Sequence, residues 1–268
     1  MSQSRDGSRD PARDRTKDRI EAQSSLALRG VSLAIAGRPL IAPLDLDVNG
    51  GEIVTLMGPS GSGKSSILAC VCGTLDPIFD TTGKIFINGQ DMTGFPPERR
   101  RAGILFQDDL LFPHLSVGEN LAFGLPRHIK NRQERDARIN QALVEADLEG
   151  FARRDPATLS GGQRARVALM RTLLSEPRAL LLDEPFSKLD VHLRERVRRF
   201  VFDHARAEGL PTLLVTHDPE DAAATGERVV EVQPAMVDNS SASRPPQKNH
   251  EISTVDHREV GIIKKLSL

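Results

Sequence analysis

The stretch that decides the fold is Ile53-Val54-Thr55-Leu56-Met57-Gly58-Pro59-Ser60-Gly61-Ser62-Gly63-Lys64-Ser65-Ser66. The apolar run Ile53–Met57 is too short for a helix and leads straight into a glycine-punctuated loop, so it reads as a buried strand. Gly58–Ser65 then matches G-x-x-x-x-G-K-[ST]. Gly58, Gly61 and Gly63 permit a tight turn that brings backbone N–H groups close to a phosphate. A helix starting at Lys64 adds its positive N-terminal end. Lys64 is suited to reach β- and γ-phosphates and the Ser65 hydroxyl to ligate Mg²⁺. Pro59, Ser60, Ser62 and Ser66 complete the cradle. A glycine-containing loop can match this pattern by chance, but the strand before it and the helix after it favour nucleotide binding.

Outward from this loop, short apolar runs recur at Gly103–Phe106, Leu180–Leu182 and Thr212–Val215, with helical segments between them. That is the pattern of buried parallel strands with crossover helices, an α/β fold with a mostly parallel sheet. Strand signals stop between Asp108 and about Thr172. There, residues 131–148 and Gly161–Ser175 read as amphipathic helices, so a helical insertion at about 108–172 is expected. Residues 25–233 form the expected folded domain. Residues 1–24 interleave Arg and Asp with Ser and read as a disordered leader. Residues 234–268 are Ser/Pro-rich and read as a mostly disordered polar tail, with no room for an added regulatory β-domain.

Composition narrows the class. The 268 residues are 38% hydrophobic and 27% charged with a formal net charge of -1, so nothing in the balance suggests a nucleic-acid partner. No apolar run approaches the roughly 18 residues of a membrane span, and no secretory signal is visible. Cys70 and Cys72 stand one residue apart in a predicted helix, face different ways and suit a reducing, cytoplasmic setting. Trp and Tyr are absent, so any stacking must come from ten Phe or from His.

Two further stretches carry chemistry. Ala179-Leu180-Leu181-Leu182-Asp183-Glu184-Pro185 delivers two acids at the C-terminal end of a buried strand, where open α/β sheets place their ligands. Asp183 fits a Mg²⁺ partner, directly or through water, and Glu184 a base that orients or deprotonates an attacking water. Alone, such a strand could equally end in a solvated acidic turn; the phosphate loop upstream tips the reading. Leu159-Ser160-Gly161-Gly162-Gln163 opens a helix and makes a second anion cradle. Alone it would be an ordinary Ser/Gly cap. A chain with one nucleotide seldom needs two cradles, so the economical reading is that this one serves the nucleotide of a second copy.

With these residues in view, the chain resembles the ATP-binding subunits of ABC transporters. Leu159–Gln163 matches that family's signature, Gln107 its Q-loop glutamine, Ser187-Lys188-Leu189-Asp190 its D-loop, and His217 in Val215-Thr216-His217-Asp218 its switch histidine. The motifs fall in the family's order across roughly residues 26–232. The resemblance implies a phosphate-loop NTPase core with an N-terminal antiparallel β subdomain and an inserted helical subdomain. It also implies a head-to-tail dimer with two Mg-ATP at the interface. Each ATP would be held by the phosphate loop of one copy and by Ser160, Gly161, Gly162 and Gln163 of the other. Ser65, Asp183 and Gln107 would hold Mg²⁺, Gln107 also touching the attacking water; Glu184 would be the base. His217 would contact the γ-phosphate and Asp190 would report across the interface.

Of the classes this permits, the absence of long heptad insertions and of a second ATPase domain argues against nucleic-acid or ribosomal ABC ATPases. The signature and His217 argue against an unrelated kinase or GTPase. Gly103–Leu125 is similar to importer subunits of the thiamine-, ferric-iron- and polyamine-type branch. That implies separate integral-membrane permease subunits, an extracytoplasmic solute-binding protein, and a peripheral place on the cytoplasmic face of the inner membrane. Leu110, Leu111, Phe112 and Leu115 would dock the permease or fill the helical core.

The chain departs from the family in two places. Ile35 stands where an aromatic residue usually stacks on adenine, which removes roughly 1–3 kcal/mol of stacking unless another contact replaces it. Lys188 stands where the D-loop commonly has a small residue. It could tune hydrolysis beside the dimer interface, though a solvated lysine is the plainer expectation.

Overall fold

The short apolar runs form the inner strands of a parallel sheet, and the helix after the phosphate loop lies between that sheet and an antiparallel one. The computed structural model describes residues 25–226, 228–233 and 235. The expected leader and all of the tail but Ala235 lie outside the described residues.

In chain order the elements begin with β1 (Ser25–Ile35), β2 (Arg38–Asn49), β3 (Ile53–Met57), α1 (Lys64–Cys72), β4 (Phe79–Ile87) and β5 (Gln90–Asp91). They continue with α2 (Pro97–Arg100), β6 (Ala102–Leu105), α3 (Val117–Gly124), α4 (Arg132–Glu145) and α5 (Gly161–Leu173). The last are β7 (Ala179–Asp183), α6 (Val191–Ala207), β8 (Thr212–Val215), α7 (Pro219–Thr225) and β9 (Val229–Glu231). One sheet, ordered β2-β1-β4-β5, is antiparallel; the other, ordered β6-β7-β8-β3-β9, is parallel.

Alternation along the central strands builds two cores. In β7 every residue is buried. Leu180 and Leu182 point into one cluster, which they share with Leu121 of α3, Leu143 of α4, Val167 of α5 and Val201 of α6. Leu181 points the other way, into a cluster with Ile67, Leu68 and Val71 of α1 and with Leu26, Leu28 and Ile85 of the antiparallel sheet. A strand buried on both faces needs a continuous apolar run, which is why Ala179–Leu182 lacks the polar alternation of a surface strand.

Every regular element between Leu105 and Ala179 is helical, as expected of the insertion. Helix α3 was not singled out in the sequence. It starts at a capping box, in which the Ser116 hydroxyl accepts from the Glu119 N–H and the Glu119 carboxylate accepts from Ser116. Neither cysteine is in a disulfide, and both are buried in α1.

Candidate functional site

Four parallel strands end on the same edge of their sheet, and each delivers one of the expected residues there. The order β6-β7-β8-β3 sets Gln107 after β6, Asp183 and Glu184 at the end of β7, His217 after β8 and the phosphate loop after β3. The registers Leu105↔Leu182, Asp183↔Val215 and Leu56↔Val215 put these ends level. Residues far apart in the sequence thus share one edge of the sheet, where an open parallel sheet binds ligands.

The phosphate loop is held open by its own lysine. Lys64 is 9% exposed, and its ammonium donates to the Gly58 and Pro59 carbonyls at 2.9 and 2.8 Å. Those bonds point the ammonium into the concavity that a phosphate would fill. Gly63 at the start of α1 has φ 87°. A Cβ there would lie 2.6 Å from Ile41 Cδ1, so strand β2 packs directly on the loop. A Cβ on Gly58 would meet the Val232 carbonyl at 2.5 Å, closing the other side.

At the end of β7 the two acids differ sharply. Asp183 is 7% exposed; burial pushes its carboxyl above the usual range, a hydrogen bond from Ser65 pulls the other way, and the Glu184 charge raises it further. Glu184 has φ 47°, an uncommon conformation for a residue with a Cβ, and its N–H donates to the Val215 carbonyl at 2.9 Å. The turned backbone aims its carboxylate at His217, whose Nδ1 lies 2.9 Å from Glu184 Oε1.

The Leu159–Gln163 stretch lies at the start of α5 rather than at a strand end. Ser160 caps α5 in a capping box with Gln163: its hydroxyl accepts from the Gln163 N–H at 3.3 Å and its N–H donates to Gln163 Oε1 at 2.9 Å. The Gln163 side chain, expected as a nucleotide contact, is thus engaged within its own helix cap. The N–H groups of Gly161 and Gly162 are first in the helix and have no intrahelical acceptor. Asp190 caps α6, accepting from the Leu193 N–H at 3.0 Å. Lys188 is not simply solvated: its ammonium lies 3.5 Å from Asp109 and 3.7 Å from Asp108. Directly across the ladder from Ile35 stands Phe79, on the same face of the sheet, so a ring adjoins the position where the aromatic was expected and missing.

Residues 41–187, more than half of the chain, match the family model described as ABC transporter. This chain belongs to the ABC transporter ATP-binding family. It is 49% identical over 199 residues to YnjD of Escherichia coli (strain K12), named as an ABC transporter ATP-binding protein, which covers 74% of this chain and 91% of that one. It is 41% identical to the Fe(3+) ions import ATP-binding protein FbpC of Streptomyces avermitilis and 39% identical to the spermidine/putrescine import ATP-binding protein PotA of Marinobacter nauticus. It covers 80% and 83% of itself in these matches but only 61% and 59% of those longer proteins. Among solved structures it resembles the dimeric ATP-binding cassette MJ0796 in a post-hydrolysis state bound to ADP and Pi. The TM-score is 0.70 at 31% identity, covering 78% of this chain and 94% of that one.

The ABC ATPase thus carries an α/β phosphate-loop fold and hydrolyses ATP. Its oxygen donors also fit Mg²⁺: the Ser65 hydroxyl and the Asp183 carboxylate lie together beside the cradle. Among the described residues no cluster of three or more acids, His or Cys could hold a metal alone.

One residue that shapes the loop after Gln107 in the ABC ATPase escaped the sequence reading. Asn120 is fully buried in α3. It accepts from the Phe112 N–H at 2.8 Å and donates to the Phe112, Leu115 and Ser116 carbonyls at 3.0–3.1 Å, which fixes the loop after Gln107. A polar amide inside an apolar helical run was the available signal. Within that loop Leu110 is 58% exposed, whereas Leu111 packs on the larger core. Phe112 meets exposed Phe123 edge-on at 4.6 Å between centroids. No helix among the described residues is long and apolar enough to cross a membrane.

Proposed function

We propose that this chain is the motor subunit of an importer for a small solute, acting as a head-to-tail pair that sandwiches two Mg-ATP. The observation that carries the reading is the row Gln107, Glu184, His217 and phosphate loop on one sheet edge, with a second candidate anion site at the start of α5. Two half-sites on one chain are complementary when two copies meet, Ser160, Gly161 and Gly162 of each closing on the phosphates of the other. The dimeric description of the structurally similar cassette supports this.

Within each site Lys64 would give up its bonds to Gly58 and Pro59 and grip the β- and γ-phosphates. Ser65, Asp183 and Gln107 would hold Mg²⁺, which supplies positive charge against the phosphate oxygens. Glu184 would orient and deprotonate the attacking water. His217, at 2.9 Å, holds that carboxylate in place and presents its other ring nitrogen to the γ-phosphate. Asp190, at the start of α6, would face the partner copy.

The import names of the similar FbpC and PotA proteins support permease subunits and a solute-binding protein as partners, and a seat on the cytoplasmic face of the inner membrane. Exposed Leu110 and Phe123, with half-buried Phe112 between them, support docking of a permease helix there.

Glu184→Gln keeps the shape and the His217 contact but removes the base. We expect turnover to fall about 10²–10⁴-fold while ATP binding persists and a stable dimer accumulates in gel filtration. Full hydrolysis would refute the assignment. Purification of the intact chain from membranes should also bring down an integral-membrane partner; nucleic-acid-stimulated ATPase activity with no such partner would favour a soluble ABC ATPase instead.

A further inference from the structure

Three elements of the site converge on one half-hidden carboxylate. Asp109, two residues after Gln107, has a side chain only 12% exposed and uses both oxygens. Oδ2 accepts from Arg164 Nε of α5 at 3.1 Å, and Oδ1 lies 3.5 Å from the Lys188 ammonium in the loop between β7 and α6. Arg164 also donates to the Leu159 carbonyl at 2.7 Å, just before Ser160. The Lys188 carbonyl lies 3.3 Å from where a Cβ on Gly162 would stand. The backbone of the carboxylate is fixed as well, since Arg171 donates to the Asp109 and Leu110 carbonyls at 3.3 and 2.9 Å.

We propose that Asp109 and Lys188 are positioning residues for ATP hydrolysis: with Arg164 they form a charge bridge that sets the Ser187–Asp190 loop and the Ser160–Gly162 helix start against Gln107. Asp109 follows β6 and Lys188 follows β7, neighbouring strands, so the bridge ties the loops leaving two adjacent strand ends. The same two residues, with Gln107, Ala165, Glu184 and Ser187, line a small cavity. A carboxylate this far out of water, held by cations on two different elements, resists rearrangement more than a solvated pair does. Motion of exposed Leu110, the next residue along, would therefore pull on Lys188 and on α5 together. A small residue at position 188 would leave Asp109 tied to α5 alone.

The inference rests on the proposed roles of Gln107, Glu184 and the second copy. Its test uses the intact chain with substitutions Lys188→Met, Asp109→Asn and both together, and Lys188→Arg as the conservative control. Steady-state kcat and KM, ATP affinity and thermal melting are measured for each. We expect Lys188→Met and Asp109→Asn each to lower kcat at least about fivefold with ATP affinity and melting unchanged, and the double variant to be no slower than the slower single. Lys188→Arg should keep most of the rate. A kcat within about twofold of the parent in Lys188→Met, or losses that multiply in the double variant, would overturn the bridge. Should Asp109→Asn fold poorly, Lys188→Met against Lys188→Arg still decides, because the lysine is on the surface. Normal turnover by Glu184→Gln would instead overturn the underlying site reading.

Discussion

Paired alanine substitutions at Gly61 and Gly63 separate two costs that the phosphate loop imposes. Both glycines have positive φ, 78° and 87°. An L-residue there costs roughly 1–2 kcal/mol from the crowding of Cβ against the backbone. At Gly61 a Cβ meets nothing within 4 Å, so Gly61→Ala should cost that amount and no more. At Gly63 the Cβ would stand 2.6 Å from Ile41 Cδ1, 2.8 Å from Cγ1 and 3.3 Å from Leu40 Cδ2. Ile41 is 3% exposed and cannot swing into solvent. Overpacking of that kind adds roughly 1–3 kcal/mol, which gives a total of about 2–5 kcal/mol for Gly63→Ala. The chain has no Trp or Tyr, so far-UV circular dichroism is the probe for urea unfolding. In a domain of this size each kcal/mol moves the melting temperature by about 2–4 °C. Ile41→Ala in the Gly63→Ala background should recover the steric part, a non-additive result. Equal losses at Gly61 and Gly63, or no recovery with Ile41→Ala, would refute the claim that strand β2 clamps the loop.

Two further perturbations address charge. Burial raises the Asp183 pKa in the folded state, so its favourable contribution is complete only below the unfolded carboxyl value and is lost as pH rises through the folded one. Nucleotide-free Asp183→Asn should therefore melt above the parent at neutral pH, the gap closing on acidification, while Mg-ATP turnover is lost; a pH-independent gap would contradict the burial argument. Arg100 is 6% exposed and donates to the Phe95, Cys70, Val71 and Thr93 carbonyls, joining the end of α1 to the β5–α2 turn. Arg100→Met should cost about 2–4 kcal/mol in urea titration by leaving buried acceptors unpaired, and Arg100→Lys should restore little because one ammonium cannot span the four carbonyls.

The strands that carry the site were legible because a parallel strand buried on both faces must be a continuous apolar run. Ile53–Met57 and Thr212–Val215 coincide with β3 and β8, and the runs at Gly103–Phe106 and Leu180–Leu182 shift by a residue at their ends. The phosphate loop, the β7 acids and the Ser160 cap were legible for a similar reason: their chemistry lies within a few consecutive residues. The antiparallel strands were harder to place individually, since β2 mixes exposed and buried positions over its length. Leu110 and Leu111 look alike in sequence, and only packing separates an exposed side chain from a core one.

The sequence alone therefore determined the family of this ABC ATPase and supplied the residues proposed to conduct its chemistry. The tertiary structure decided how those residues are held. Lys188, expected to be solvated, reaches Asp109, and Asn120 pins a loop no motif announced. Local motifs are legible because covalent neighbours enforce them. The partner of a charge far along the chain is fixed only when sheet order brings β6 beside β7 and sets the two loops face to face.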